Sequence, residues 1–342
     1  MILDLTIVVP TLNRTIFLKK LLNYYDKFKF SGEILILDSS KGKIKENNKF
    51  LCGSHKQLNI KYIGIKGFPH EVIKKCRKHI KSSYVVFSGD DDYFVVNALK
   101  KIVSYLKKNK KHISASGESI LLHKPKKNSA VTYEYKGLHA RLENTALERV
   151  FANITNYSVG HYAVCRKKFF NMSFKHINRN LCPSRIVNDE MLVTMSLSCL
   201  GKSNKILEPY LIRSVGHERN DLNKGILKKD LKTSLLYLIK ILLQTISIID
   251  NKNVKTIDRK KMWFNLNNFC NNVPKKNKLL SAILNFHASS VYFKFKQSSI
   301  FRPVTKITDL LVTDKFSFDK IDSNKKYYKD LRNSVLFLKN QR

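Results

Sequence analysis

Tyr84-Val85-Val86-Phe87-Ser88-Gly89-Asp90-Asp91-Asp92 is a short apolar run that stops on three adjacent carboxylates. A continuous apolar stretch of this length, closed by Ser-Gly, reads as a buried strand of a parallel sheet. Three like charges at its end repel one another, so the arrangement is costly unless a cation or a basic group compensates. In an extended turn, residues two apart point the same way, which predicts that Asp90 and Asp92 face one ligand. Hard oxygen donors that leave coordination positions open suit Mg²⁺ or Mn²⁺ bridging to substrate phosphates. A solvated acidic turn capping the next helix is the plain alternative. The buried strand before it and the basic chain around it favour a ligand site. An EF-hand is excluded, because the positions where that loop needs Gly and Glu are here Val95 and Lys101.

Working back towards the N-terminus, Leu5-Thr6-Ile7-Val8-Val9 is a β-branched strand ended by Pro10. Phe17, Leu18, Leu21, Leu22, Tyr25 and Phe28 recur at helical spacing over 16–28. A second strand over 33–37 ends at Asp38. A third over 58–65 runs into Gly67-Phe68-Pro69, and Val72, Ile73, Cys76 and Ile80 mark the next helix. Past the aspartates, Val96, Leu99, Ile102, Val103 and Leu106 share one helical face. This alternation predicts an α/β fold, a mixed but mostly parallel sheet flanked by helices. Ligands of such sheets bind outside the carboxyl ends of the strands. Those ends carry the 10–14 loop, Asp38, Gly67 with Phe68, and the aspartates.

The middle of the chain is mixed, with helices expected over 142–154 and 189–200 and strands over 158–166 and 204–215. After 225 the alternation gives way to helices, which divides the chain into 1–224 and a basic, mainly helical 225–342. Leu231, Leu235, Leu238, Leu242, Ile246 and Ile249 form a broad apolar face opposite Thr233, Lys240, Gln244 and Ser247. Such a face either packs on the first domain or docks on anionic lipid. The stretch 235–249 holds Lys240 and Gln244 and is shorter than the ~20 residues that span a bilayer, so no transmembrane helix is expected.

The 342 residues carry 64 Lys or Arg against 26 Asp or Glu, a net charge of +38. Of these, 24 basic and 8 acidic side chains lie after residue 224, so no single tail holds the charge. Spread in this way, it suits a polyanionic surface or a diphosphate substrate; a nucleic-acid reader would concentrate it in a stripe with exposed aromatics. A simple solvating surface fits as well. Cys52, Cys76, Cys165, Cys182, Cys199 and Cys270 form no CxxC pair, which suits a reducing, cytosolic location. The opening Met1-Ile2-Leu3-Asp4 has the form of no signal peptide. No GxGxxG follows the first strand, which argues against a dinucleotide oxidoreductase. In the same place Pro-Thr-Leu-Asn-Arg stands where a sugar nucleotidyltransferase would carry a Gly-rich phosphate loop.

Ile7-Val8-Val9-Pro10-Thr11-Leu12-Asn13-Arg14, the strand ending at Asp38, and Phe87-Ser88-Gly89-Asp90-Asp91-Asp92 together resemble the family 2 glycosyltransferases of the GT-A fold, of the bacterial cell-surface polysaccharide type. The resemblance covers residues 4–220 and implies an inverting transfer from a nucleoside diphosphate sugar to a hydroxyl of a glycan or lipid-linked glycan. It implies nucleotide contacts from Pro10, Thr11, Asn13, Arg14 and Asp38, joined by Gly67, Arg77, Asp90 and Asp91. It implies a divalent cation, Mg²⁺ or Mn²⁺, at Asp90 and Asp92, with His217 as a further ligand. Asn188-Asp189-Glu190 opens a helix and Gly201 follows Asp189 by twelve residues, as in that family, which makes Asp189 the general base. The family's Glu is Asn188 here, and Glu190 leaves the register open by one. The resemblance places the enzyme in the cytoplasm or peripherally on the inner face of the cell membrane, with no specific nucleic-acid partner.

Overall fold

The computed structural model describes residues 2–123, 131–135, 137–215, 228–251, 315–316 and 326–340. The N-terminal part alternates as the periodicity predicts, with one helix, α2, that the periodicity did not mark: β1 (Leu5–Thr11), α1 (Thr15–Lys27), β2 (Glu33–Asp38), α2 (Gly42–Ser54), β3 (Asn59–Gly64), α3 (Pro69–Cys76) and β4 (Tyr84–Phe87). Then come β5 (Asp92–Phe94), α4 (Val96–Lys108), β6 (His112–His123), β7 (Val131–Tyr135), α5 (Ala146–Thr155), β8 (Val164–Arg166) and α6 (Lys167–Ser173). A π-helical turn (Ile186–Met191) leads into α7 (Leu192–Leu200) and β9 (Lys202–Val215). The C-terminal region contributes α8 (Lys228–Ile249), a two-residue β10 (Lys315–Phe316) and α9 (Lys326–Asn340).

The sheet runs β10-β7-β6-β8-β4-β1-β2-β3, with β9 beside β6 and β5 beside β9. The half formed by β3, β2, β1 and β4 is wholly parallel. It becomes mixed where β8 pairs antiparallel with β4. The predicted mixed α/β sheet is therefore the observed one. Strand order reverses between β1 and β4: β2 and β3 lie on one side of β1, and the chain then crosses to the other. With right-handed crossovers, α1 and α2 cover one face and α3 the opposite one. The loops after β1 and β4 diverge at that point and leave the crevice where open α/β sheets bind ligands.

Pro10 fits inside this central strand for a local reason. The carbonyl of Val8 accepts from Ser88 on the β4 side, so the nitrogen of Pro10, two residues on, faces that side too. Pairing with β4 has ended at Val8 opposite Phe87, and the missing N–H leaves no ladder bond unmade. The core is aliphatic along β1, β2 and β4, each fully buried side chain worth roughly 1.5–3 kcal/mol, and it is closed by Tyr24, Tyr25, Phe94 and Tyr210.

Lys232–Ile249 within α8 is long and apolar enough by composition to cross a membrane. Its apolar face is already used: Leu235, Leu238, Leu242 and Ile246 are buried, and the helix packs on α7 and the π-helical turn. Of the two fates expected for this face, packing is the one observed.

Candidate active site

The crevice between β1 and β4 is closed by charge. The chain turns over Asp90 and Asp91, with the amide of Asp92 returning to the carbonyl of Gly89 at 3.4 Å, and Asp92 enters β5. Arg14, on the loop after β1, forks across the turn: Nη1 reaches Asp90 Oδ1 at 2.6 Å and Nη2 reaches Asp91 Oδ2 at 2.7 Å. The guanidinium also stacks 3.9 Å over the ring of Phe17. Thr11 Oγ1 donates to Asp90 Oδ2 at 2.8 Å. Asp92 is held from elsewhere, by the hydroxyl of Tyr162 at 2.7 Å and by Arg213 Nε at 3.8 Å. The alternation expected of an extended turn is thus replaced: Asp90 and Asp91 share one guanidinium, because the chain bends at them before β5 begins.

Burial, and then the neighbouring charge of Asp91, raise the Asp90 carboxyl to about 7, although Arg14 and Thr11 pull the other way. For Arg14, burial works against its charge, but Asp90 and Asp91 outweigh it and the proton is held more tightly than usual. One guanidinium therefore does not neutralise the turn. A Cβ on Gly89 would lie 3.0 Å from Asp92 Oδ2 and 3.1 Å from Asp91 Oδ1, so these two carboxylates converge over a residue with no side chain. Three hard carboxylates gathered on one turn are the donor type that Mg²⁺ and Mn²⁺ take. No group of three or more His, Cys, Asp or Glu side chains among the described residues forms a complete cage. Phosphate and water oxygens would have to fill the remaining positions, as is usual for Mg²⁺. His217, the expected further ligand, lies outside the described residues.

The remaining strand ends adjoin the turn. Asn13 adopts a left-handed conformation at φ 55°, and its amide donates to Ser40 Oγ at 2.8 Å, tying the β1 loop to the end of β2. Asp38 is fully buried and accepts from the Ser40 amide, Asn48 Nδ2 and the Tyr62 hydroxyl. It organises the β2–α2 turn. The carbonyl of Gly67 accepts from Ser39 Oγ at 2.9 Å, joining the β3 loop to the same corner. Arg77 stands at the far end of α3 from Gly67. α3 separates the two by one helix length of about 12 Å along its axis.

Asp189 sits in the π-helical turn, a feature often found at functional sites. Its Oδ2 accepts from Arg179 Nη2 at 2.6 Å and its Oδ1 from Asn188 Nδ2 at 2.8 Å; Arg185 Nε stands at 3.9 Å. Asn188, fully buried, also accepts from the amide of Asn178, so the departure from Glu supplies an orienting amide. Glu190 takes the hydroxyl of Tyr157 instead. Arg179 lies 4.0 Å over the half-exposed ring of Phe68, next to Gly67. Asp189 therefore faces the nucleotide-side loop across one side chain. Tyr162 and Arg179 hold these carboxylates and were not singled out by sequence reasoning. The one signal available was the apolar setting of Gly160-His161-Tyr162, which read as strand.

Sheet order, crevice and acidic turn define the GT-A fold. The crystal structure of S. aureus TarS 1–349 superposes at a TM-score of 0.50 and 16% identity, covering 82% of this chain and 79% of that one. A longer S. aureus TarS structure matches at 0.45 and 15%, covering 99% of this chain, which spans only 53% of it. The mannosyltransferase PcManGT from Pyrobaculum calidifontis, in complex with GDP-Man and Mn²⁺, matches at 0.44 and 11%, covering 99% and 85%. The first likeness shows the fold. No family model matches the chain, and no curated protein sequence does.

Proposed function

We propose that this chain is a glycosyltransferase that moves a sugar from a nucleoside diphosphate donor to a hydroxyl acceptor with inversion at the anomeric carbon. The observation that carries this is the pairing of two carboxylate centres on a GT-A fold: Asp90–Asp92 at the strand-order reversal, and Asp189 across Phe68. The loops of Pro10, Thr11, Asn13, Arg14, Asp38 and Gly67 form the nucleotide side. Asp90, Asp91 and Asp92 would hold Mg²⁺ or Mn²⁺, which neutralises charge developing on the leaving diphosphate. Asp189, oriented by Asn188, accepts the proton of the acceptor hydroxyl from the side opposite the diphosphate. Its carboxylate retains lone pairs beside those used by Arg179 and Asn188. One base opposite one leaving group gives direct displacement, hence inversion.

Asp92→Asn and Asp189→Asn preserve shape and remove charge. Each should lower transfer by about 10²–10⁴-fold without changing the circular dichroism spectrum. The assay is a panel of UDP, GDP, CDP and TDP sugars with Mn²⁺. Full activity in either variant removes that residue from its role.

The acceptor we assign is a glycan or lipid-linked glycan met at the cytosolic face of the membrane, where the +38 charge favours an anionic surface. Flotation with phosphatidylglycerol vesicles at low salt should carry the protein upward. Protein remaining at the bottom excludes the membrane part of the reading.

A further inference from the structure

His70, in the first turn of α3, and His161, just before Tyr162, lie between the two carboxylate centres, and the mechanism above uses neither. They are 7% and 6% exposed. Both ring nitrogens of His70 and Nδ1 of His161 are buried with no hydrogen-bond partner. The two rings meet edge to face at 6.0 Å. His70 stacks on Phe174 at 5.6 Å, and His161 packs on Phe87 at 5.1 Å and Tyr162 at 4.5 Å. Tyr162 holds Asp92, and His70 follows Phe68 by two residues and feels the charge of Asp189.

A nest of aromatic rings accommodates phenylalanine without penalty, whereas an unpaired buried polar group costs about 1–3 kcal/mol. Two adjacent rings carrying that cost mark a place where a ligand supplies the partners. Burial foremost favours the neutral form of both rings: at His70 the charge of Asp189 opposes it and Arg179 and Arg185 add to it, and at His161 first His70 and then Arg213 add to it. A neutral imidazole offers one N–H donor and one acceptor nitrogen. Its complement is a neutral group that both donates and accepts, as a sugar hydroxyl does. The surrounding arginines repel a cationic ligand, and an anion would engage them in preference to the imidazoles.

We propose that His70 and His161 form the subsite that reads the hydroxyl groups of the donor sugar, between the diphosphate at Asp90–Asp92 and the base at Asp189. The assignment rests on the transferase reading and adds its specificity residues. The unpartnered nitrogens are closed to solvent, so engaging a hydroxyl turns each ring about its Cβ–Cγ bond, a broad torsion.

The test uses His70→Phe and His161→Phe in the full chain, with calorimetric titration of UDP and GDP against UDP-glucose, UDP-N-acetylglucosamine and GDP-mannose, all with Mn²⁺. Each variant should bind the nucleoside diphosphates as the wild type does. Each should lose about tenfold in affinity for the preferred nucleotide sugar, the worth of one or two hydrogen bonds. His161→Gln, which keeps a donor and an acceptor, should recover part of that loss. Thermal stability should be unchanged or higher, since an unpaired polar group is removed. Equal loss for diphosphate and nucleotide sugar, no loss at all, or a variant that fails to fold overturns the assignment. A wild type that binds no nucleotide sugar overturns the transferase reading itself, an outcome visible before any variant is made.

Discussion

Arg14 sits where a divalent cation would act, bridging Asp90 and Asp91 at 2.6 and 2.7 Å while its side chain remains 27% exposed. Removing one partner of a fully buried ion pair costs about 3–5 kcal/mol; with solvent reaching Arg14, about 1–3 kcal/mol is the expectation for Arg14→Gln in EDTA, measured by urea denaturation. The same substitution uncovers carboxylate oxygens that Mn²⁺ can take. Mn²⁺ should therefore restore stability to Arg14→Gln by more than it adds to the wild type. An equal gain in both proteins would show that the cation does not engage these carboxylates. The aspartates and Arg14 were legible in the sequence because each lies beside a strand end, and a strand end is set by local pattern. Tyr162 on Asp92 and Arg179 on Asp189 were not, because the first bond spans 70 residues and a local pattern carries no trace of such a contact.

Between residue and molecule, the element junctions decide where the site can form. Gly201 ends α7 and starts β9, and a Cβ there would lie 2.5 Å from Ile113 Cγ2 on β6. The neighbour is itself buried, so Gly201→Ala must displace the Ile113 side chain or the strand that carries it. A loss of about 1–3 kcal/mol is expected from such overpacking, read as a lower urea midpoint with unchanged slope. Unaltered stability would mean that the side chain or its strand gives way freely. The sequence marked this glycine by its spacing from Asp189, and the structure supplies a packing role for it. Long periodic elements such as α4 read directly from the chain. α2 did not, since among its thirteen residues only Asn48 and Cys52 are buried and the apolar period is weak. β5 was hidden inside the aspartate turn, because its three residues become a strand only by pairing with β9. The π-helical turn under Asp189 has no period of its own to betray it.

On the scale of the whole molecule, the two ends of the chain close on one another. α9 returns to α1, where Tyr24 donates to Ser334 Oγ at 3.0 Å and Phe337 packs edge to face on Phe28 at 5.7 Å. α8 covers α7 beneath the turn that carries Asp189. Elsewhere in the fold, three histidines are shifted towards their neutral form. Burial foremost lowers His70 and takes His161 well below the usual imidazole value, and burial with Arg141 brings His139 to about 4. A folded-state pKa below the unfolded value of roughly 6.5 means that the unfolded chain binds the proton first. The stability due to these rings is then complete above pH 6.5 and falls as the pH drops below it, by up to about 1.4 kcal/mol per pH unit for each ring. Asp90 acts in the opposite sense, because its raised value of about 7 relieves a burial cost as the pH falls. Comparing the wild type with the double variant His70→Phe, His161→Phe cancels Asp90 and His139 together. Urea midpoints of the two proteins should run in parallel from pH 8 to pH 7 and diverge below about pH 6.5, with the double variant the more stable in acid. Parallel curves down to pH 5 would show that these imidazoles gain their protons in the folded chain as readily as in the unfolded one.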